Sequence, residues 1–283
     1  MQDLDGKVGL VTGAKGRHGI GRAIALRLAE EGAKLVVNDL DDSLEGLRQE
    51  DVQAGWLGLP SLAAEIQARG REALAVHADV SSAEAVDLMV EQALARFGRI
   101  DVLVCNAAAP PGRDRRPVLD LEADAFDDVL RVNVKGTFLC ARAVARHMVQ
   151  RGGGGRIILL SSCLGLQPRA LYAAYSASKA AQIAFAKALA LELAPHRITV
   201  NAVCPGPVDT ERFDQVGRLL APSVGATPDA VRERILASRA KEIPLGRVAQ
   251  PEDIANTAAF LASEASGYLT GLAISATGGW VMP

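Results

Sequence analysis

The chain has almost no excess of either charge: 31 Lys and Arg against 33 Asp and Glu leave a formal net charge of −2 over 283 residues. No run of Lys or Arg is long enough to track a phosphate backbone, so nucleic acid is not an expected partner. The opening Met1-Gln-Asp-Leu-Asp-Gly-Lys7 lacks the charged-then-apolar pattern of a secretory signal, and no apolar stretch approaches the ~20 residues that cross a bilayer. The expectation is a soluble, cytoplasmic protein with no membrane partner. Cysteine is scarce and scattered: Cys105, Cys140, Cys163 and Cys204 form no C-x-x-C pair, which argues against a zinc site and against a disulfide framework. They are read as reduced thiols, and no metal is expected. Cys163 adjoins Ser162, but no His follows at a suggestive spacing, so it is read as a small packing group and not a nucleophile.

What is present is alternation. Apolar runs at Lys7–Val11, Lys34–Asn38, Ala73–His77, Val102–Asn106, Arg156–Leu160, Ile198–Val203 and Leu272–Ser275 are separated by helical patterns, such as Ala83–Phe97 with Val86, Val90, Ala93, Leu94 and Phe97 at core spacing. Strand, helix, strand with crossovers of a dozen residues or more specifies a parallel sheet covered on both faces, with ligands at the carboxyl ends of its strands. The expected fold is therefore α/β: a seven-stranded parallel sheet with helices on both faces, a three-layer sandwich built as a single domain over 1–283. Two stretches interrupt the pattern. Residues 43–60 lose their periodicity, and Gly55-Trp-Leu-Gly-Leu-Pro60 breaks any helix begun at Leu44, so this is read as an inserted surface segment. Trp56 is assigned either to the adenine end of a ligand site or an interface, or to a satellite cluster packed on the following helix, the plainer reading. Glu211 to Glu242 is polar and Pro-broken, the character of a mobile lid over the substrate.

The candidate chemistry lies at the strand ends. Thr12-Gly-Ala-Lys-Gly-Arg-His-Gly-Ile-Gly21 joins the first strand to a helix; its glycines let the backbone approach a pyrophosphate, and the helix N-terminus presents free N–H groups to it. The second strand ends at Asp39, eighteen residues beyond Gly21, where a carboxylate can accept hydrogen bonds from an adenosine ribose and repel a 2′-phosphate, which favours NAD over NADP. Asp39 can also be read as a turn residue, and Lys15 or Arg17 could pair with a 2′-phosphate and pull toward NADP. Asp79 and Val80 close the third strand and could meet the adenine. Arg113, Arg115 and Arg116, in the loop after the fourth strand, are read as solvated rather than anion-binding, with contact to an acidic substrate group as the alternative. Tyr175 and Lys179 stand at i and i+4, one turn apart on one helix face, where an ammonium can recover part of the roughly 4 kcal/mol that ionising a phenol at neutral pH costs. Ser162, at the mouth of the fifth strand, can face the same pocket. Asn133, polar among apolar neighbours, either satisfies backbone groups at a kink or holds water near Lys179. The helix that continues to Leu193 is apolar around nearly its whole girth, which suits packing against a second copy; a homo-oligomer, tetramer or dimer, is expected.

Taken in order, the glycine loop, Asp39, Asn106-Ala107-Ala108, Asn133, Ser162, Tyr175, Lys179 and Pro205-Gly206 resemble the single-domain branch of the short-chain dehydrogenase/reductase family over almost the whole chain. The most specific part is Ser162, thirteen residues before Tyr175-Ser-Ala-Ser-Lys179, combined with Asn133 upstream. The resemblance implies a Rossmann-type fold and hydride transfer between NAD(H) and a secondary alcohol or ketone. It implies Tyr175 as general acid/base, Ser162 polarising the substrate oxygen, Lys179 lowering the tyrosine pKa while holding the nicotinamide ribose, and Asn133 supporting a proton relay. The cofactor contacts it implies are Gly13, Arg17, Gly19, Ile20, Gly21, Asp39, Asp79, Val80, Asn106, Ala107, Ala108, Tyr175, Lys179, Pro205, Gly206, Val208 and Thr210. The chain departs from the family pattern in its glycine loop, where five residues rather than three separate Gly13 from Gly19, and in the 43–60 segment. Rival readings are a non-catalytic dinucleotide-binding regulator, an NADP-preferring carbonyl reductase, and a sugar-nucleotide epimerase or dehydratase. The last usually carries a larger C-terminal domain than the roughly 75 residues that follow Gly206 here.

Overall fold

The computed structural model describes residues 3–44 and 47–282. Its strands are β1 (Val8–Thr12), β2 (Lys34–Asp39), β3 (Ala73–His77), β4 (Val102–Cys105), β5 (Gly155–Leu160), β6 (Ile198–Pro205) and β7 (Ala273–Ala276). They form one sheet in the order β3-β2-β1-β4-β5-β6-β7, every neighbouring pair parallel. The helices are α1 (Ile20–Glu30), α2 (Gln49–Gln53), α3 (Leu59–Ala68), α4 (Ala83–Phe97) and α5 (Ala123–Leu130). After them come α6 (Thr137–Arg151), α7 (Ala173–Leu193), α8 (Glu211–Val224), α9 (Pro228–Glu242) and α10 (Pro251–Ala262).

The strands are apolar at consecutive positions because both faces of the sheet are covered. Leu10 joins a core with α4, α6 and α7, where Met89, Met148 and Ile183 sit, while its neighbour Val11 joins the opposite core with Ile24, Leu28 and Ile254 of α1 and α10. This is the expected Rossmann-type sandwich. The strand order reverses between β1 and β4, so the crossovers diverge there and leave a crevice at the carboxyl ends of the strands.

Three segments differ from expectation. Within 43–60, of which residues 45 and 46 lie outside the described residues, the chain forms α2, turns at Gly55 and Gly58, both with positive φ, and enters α3 with Pro60 in its first turn. Pro60 therefore starts a helix, where a missing N–H costs nothing. Trp56 is not in a satellite cluster: it is 5% exposed, belongs to the core under α1, and its indole Nε1 donates to the Lys15 carbonyl at 2.9 Å. The helical pattern around Val129–Phe138 is interrupted by a π-helical turn, Arg131–Gly136, that contains Asn133. Residues Glu211–Glu242 form two helices, α8 and α9, packed on each other, with Phe213, Val216 and Leu220 of α8 lining a cavity beneath it.

Candidate active site

Two cavities meet at the carboxyl ends of the strands. The first is a groove of about 830 Å³ over β1, β2 and β4, lined among others by Gly13, Gly19, Ile20, Asp39, Asp79, Val80, Asn106, Ala107, Ala108 and Thr210. The second, about 340 Å³, is lined by Ser162, Tyr175, Pro205, Gly206 and Val208. Ile20, Thr210 and Arg212 line both, so the two spaces adjoin.

The groove is built by close backbone approach. A Cβ on Gly21 would lie 2.3 Å from the Gly13 carbonyl oxygen, and one on Gly13, whose φ is 69°, would lie 2.7 Å from the Ala107 Cα. Only glycine lets β1, α1 and the β4 end come this near. Thr12 and Asn106 lock the arrangement: Thr12 Oγ1 accepts from the Asn106 and Ala107 amides at 3.1 Å, and Asn106 Nδ2 donates to the Thr12 and Gly13 carbonyls at 3.0 and 2.7 Å. Asp39 accepts the Lys15 and Leu40 amides, each at 2.9 Å, and turns with the loop into the groove. Its neighbour Asn38 ties the ends of β2 and β3 through the Val76 and Ala78 carbonyls, both at 3.1 Å. Asn38 Oδ1 is buried without a hydrogen-bond partner in a residue that lines the groove.

The enlarged glycine loop is held by groups that sequence reasoning did not connect to it. Lys15 Nζ donates to Asp41 Oδ1 and to the Ser43 carbonyl, both at 3.0 Å, and that bond holds the Asp41 carboxyl below its ordinary range. The expectation that Arg17 reaches the adenosine is corrected: its guanidinium turns away from the groove onto the buried Asp51 at 2.9 Å and over the Trp56 ring at 5.9 Å. Glu211, 7% exposed, accepts the His18 amide at 2.6 Å beside Gly16 and Gly19. A carboxylate oxygen already sits where loop amides and the α1 N-terminus favour an anion, so the loop fits the diphosphate of a dinucleotide.

In the second cavity Tyr175, on α7, and Ser162, at the exit of β5, share a wall. Ser162 Oγ accepts the Leu164 amide at 3.2 Å and donates only to Cys163 Sγ, at 3.9 Å, a weak bond that a substrate oxygen in the cavity can replace. Lys179 lies behind Tyr175, its Nζ 5.6 Å from the ring centroid, 2% exposed, donating to the Leu160 carbonyl at 2.7 Å and Gln182 Oε1 at 2.9 Å. Burial first, and repulsion from Arg212 second, push its ammonium down to about 7. Asn133 takes the kink position. Its Oδ1 accepts the Ala109 amide at 2.8 Å and its Nδ2 donates to Ser178 Oγ at 2.9 Å, so its side chain does not touch Lys179. The link runs instead through Gln182, whose Nε2 donates to the Asn133 carbonyl at 2.8 Å while its Oε1 receives Lys179. Gln182, a polar residue three positions after Lys179 and so on the same side of the helix, is the signal the sequence offers. Burial raises the thiols of Cys105, Cys140, Cys163 and Cys204, which are all free and buried, so Cys163 is inert as a nucleophile near neutral pH.

Comparison with known proteins bears on the family and the fold. The family model described as Enoyl-(Acyl carrier protein) reductase matches residues 13–281. A short-chain dehydrogenase/reductase of Armillaria gallica is 40% identical over 98% of this chain and 96% of its own. The 3-oxoacyl-[acyl-carrier-protein] reductase of a Synechocystis strain is 38% identical over the full length of both chains. Among solved structures, carveol dehydrogenase from Mycobacterium avium in complex with NAD superposes with a TM-score of 0.86 at 30% identity, covering 98% of each chain. With a seven-stranded Rossmann-type sheet, a glycine loop at its switch point and relatives matched end to end, the chain belongs to the short-chain dehydrogenase/reductase family, an oxidoreductase family that binds NAD(P).

Proposed function

We propose that the protein is an NAD(H)-dependent oxidoreductase that interconverts a secondary alcohol and a ketone. The observation that carries this reading is the meeting of Tyr175 and Ser162 in one cavity that adjoins the glycine-loop groove, with Lys179 buried behind the phenol. Asp39 would hold the adenosine ribose, the amides between Gly13 and Ile20 the diphosphate, and Val208 and Thr210 the nicotinamide end. The groove wall carries Asp39, Asp41, Asp79 and Glu211; of its cations, Lys15 at the Asp39 end is already paired with Asp41, and Arg212 and Arg218 lie on the α8 side. An additional phosphate on the ribose would be repelled there, which favours NAD. Arg17, spent on Asp51, does not counter this.

When bound, the nicotinamide supplies or accepts the hydride. Ser162 donates to the substrate oxygen and Tyr175 takes or returns its proton, a transfer worth roughly 10²–10⁴ in rate. Lys179 stabilises the phenolate through the ring-face contact, and Gln182 fixes the ammonium. In this reading the whole chain acts as one catalytic domain, with α8 and α9 as the substrate lid. Its cytoplasmic setting and homo-oligomer belong to the same reading, the second supported by the exposed stripe Ala177, Ala180, Ala184 and Leu191 on α7.

The test is a panel of secondary alcohols with NAD and of ketones with NADH, followed by absorbance of the reduced cofactor. Turnover is expected, with kcat/KM for NAD at least about tenfold above that for NADP. No turnover in either direction with either cofactor would sink the reading.

A further inference from the structure

The wall of the second cavity holds four arginines, Arg115, Arg169, Arg212 and Arg239, and among the described residues no carboxylate. Two of the four are neutralised at its rim: Glu242 lies 3.6 Å from Arg169 and 2.9 Å from Arg239, and both guanidiniums stack on Trp280. The other two, Arg115, paired with the buried Asp114, and Arg212, converge on the candidate acid/base. Arg115 Cζ lies 4.7 Å from the Tyr175 ring centroid and 4.2 Å from that of Tyr172, and Arg212 Cζ lies 4.9 Å from Tyr175. Each is anchored along one edge only. Asp114 sits 3.4 Å from Arg115 Nε, and Arg212 Nη1 donates to the Ala109 carbonyl at 3.3 Å. Arg115 Nη1 and Arg212 Nη2 are buried with no hydrogen-bond partner.

Two guanidiniums brought together in a largely desolvated wall, each with an unmatched buried N–H group, are unfavourable by themselves. Burial and the neighbouring Arg212 both push the Arg115 cation below its usual range. Stacking on tyrosine recovers part of that cost but leaves the unmatched donors. A bound carboxylate satisfies all of it at once, since its two oxygens accept fork-like from guanidinium N–H groups.

Resting on the dehydrogenase reading of this site, we propose that the substrate is a hydroxy acid or oxo acid whose carboxylate is held by Arg115 and Arg212 beside Tyr175. Because both guanidiniums lie against the ring of the acid/base itself, the carboxylate belongs close to the reacting carbon, about one to three bonds away, with guanidinium–oxygen contacts of about 2.8 Å. The apolar remainder of the substrate lies against Leu164, Phe213, Val216 and Leu220, which line the same cavity.

The proposal is tested on the full-length protein saturated with NAD(H), with mandelate and β-hydroxybutyrate set against their methyl esters in calorimetric binding and in turnover. At least one acid is expected to bind about tenfold or more tightly than its ester. Arg115→Gln should weaken calorimetric binding of the acid about thirtyfold or more while changing that of the ester by less than about threefold, and Arg115→Lys should recover part of the loss. Arg212→Gln gives the same acid-selective loss in calorimetric binding by an independent route should Arg115→Gln fail to fold. The proposal is overturned if no acid binds, if acid and ester bind alike, or if both substitutions weaken acid and ester equally, as a purely structural role requires. Arginine-dependent, acid-selective binding without formation of reduced cofactor would keep the anion seat and sink the dehydrogenase reading. Turnover of esters with no preference for acids would do the reverse.

Discussion

The two adjoining cavities are of opposite character. The groove over β1, β2 and β4 carries Asp39, Asp41, Asp79 and Glu211 around a glycine loop, with Lys15 paired to Asp41 and Arg212 and Arg218 on its α8 side. The cavity beneath α8 is walled by arginines, aromatic rings and aliphatic side chains, and meets the groove only at Ile20, Thr210 and Arg212. A dinucleotide without a 2′-phosphate suits the first, and an acidic substrate suits the second. The carboxylates of the groove disfavour a further anionic group there, while the arginines of the cavity favour a carboxylate.

The sharpest way to break this comparison is at the boundary where the chemistry sits. Tyr175→Phe removes the hydroxyl of the ring that both Arg115 and Arg212 stack against. It should lower kcat by about 10³ or more while leaving the NADH dissociation constant, read by fluorescence titration, within about threefold. Turnover close to wild type would show that another group handles the proton. On the groove side, Asp39→Asn keeps an acceptor for the Lys15 amide but removes the charge. The ratio of kcat/KM for NAD over NADP should fall by about tenfold, and an unchanged ratio would assign the acidic character of the groove to Asp41 and Asp79.

Smaller effects sharpen the picture. Glu211 occupies the anion-favouring end of the loop, so Glu211→Gln should tighten NADH binding by about fivefold, measured by the same titration; weaker binding would mean that Glu211 is needed to shape the loop. Arg212 helps to hold Lys179 down at about 7, so its removal must let that ammonium hold its proton to higher pH. In a pH profile of kcat/KM, Arg212→Gln should move the inflection near neutrality upward. Trp56→Phe keeps the packed ring but loses the bond from Nε1 to Lys15. Urea denaturation should show a loss of about 1 kcal/mol, with cofactor affinity changed less than about twofold.

The parts of the fold that were legible have local causes. Helix α4 falls where the pattern places it, because Ser82 caps its first turn by accepting the Ala85 amide and Gly98, with φ of 73°, ends it. The seven strands were legible because burial on both faces makes each a continuous apolar run. The π-helical turn was not legible. Its extra residue is offset by Gln182 and Thr137, both hydrogen-bonded to the Asn133 carbonyl, and Gln182 is 49 residues away. The glycine loop misled in the same way. The partners of its inserted residues, Asp51 and Trp56 for the Lys15–His18 stretch and Glu211 for His18, lie 33 to 193 residues distant.

By itself, then, the sequence determined the order of elements, the parallel sheet, and which side chains could do acid/base chemistry, since periodicity, caps and the spacing of Tyr175 and Lys179 are short-range properties of the chain. Only the tertiary structure decided how charge is distributed around those groups. It turned Arg17 away from the groove, set Glu211 against the loop, and brought Arg115 and Arg212, nearly a hundred residues apart, onto one tyrosine ring. Electrostatic interaction depends on distance in space and on burial, and neither is a function of separation along the chain.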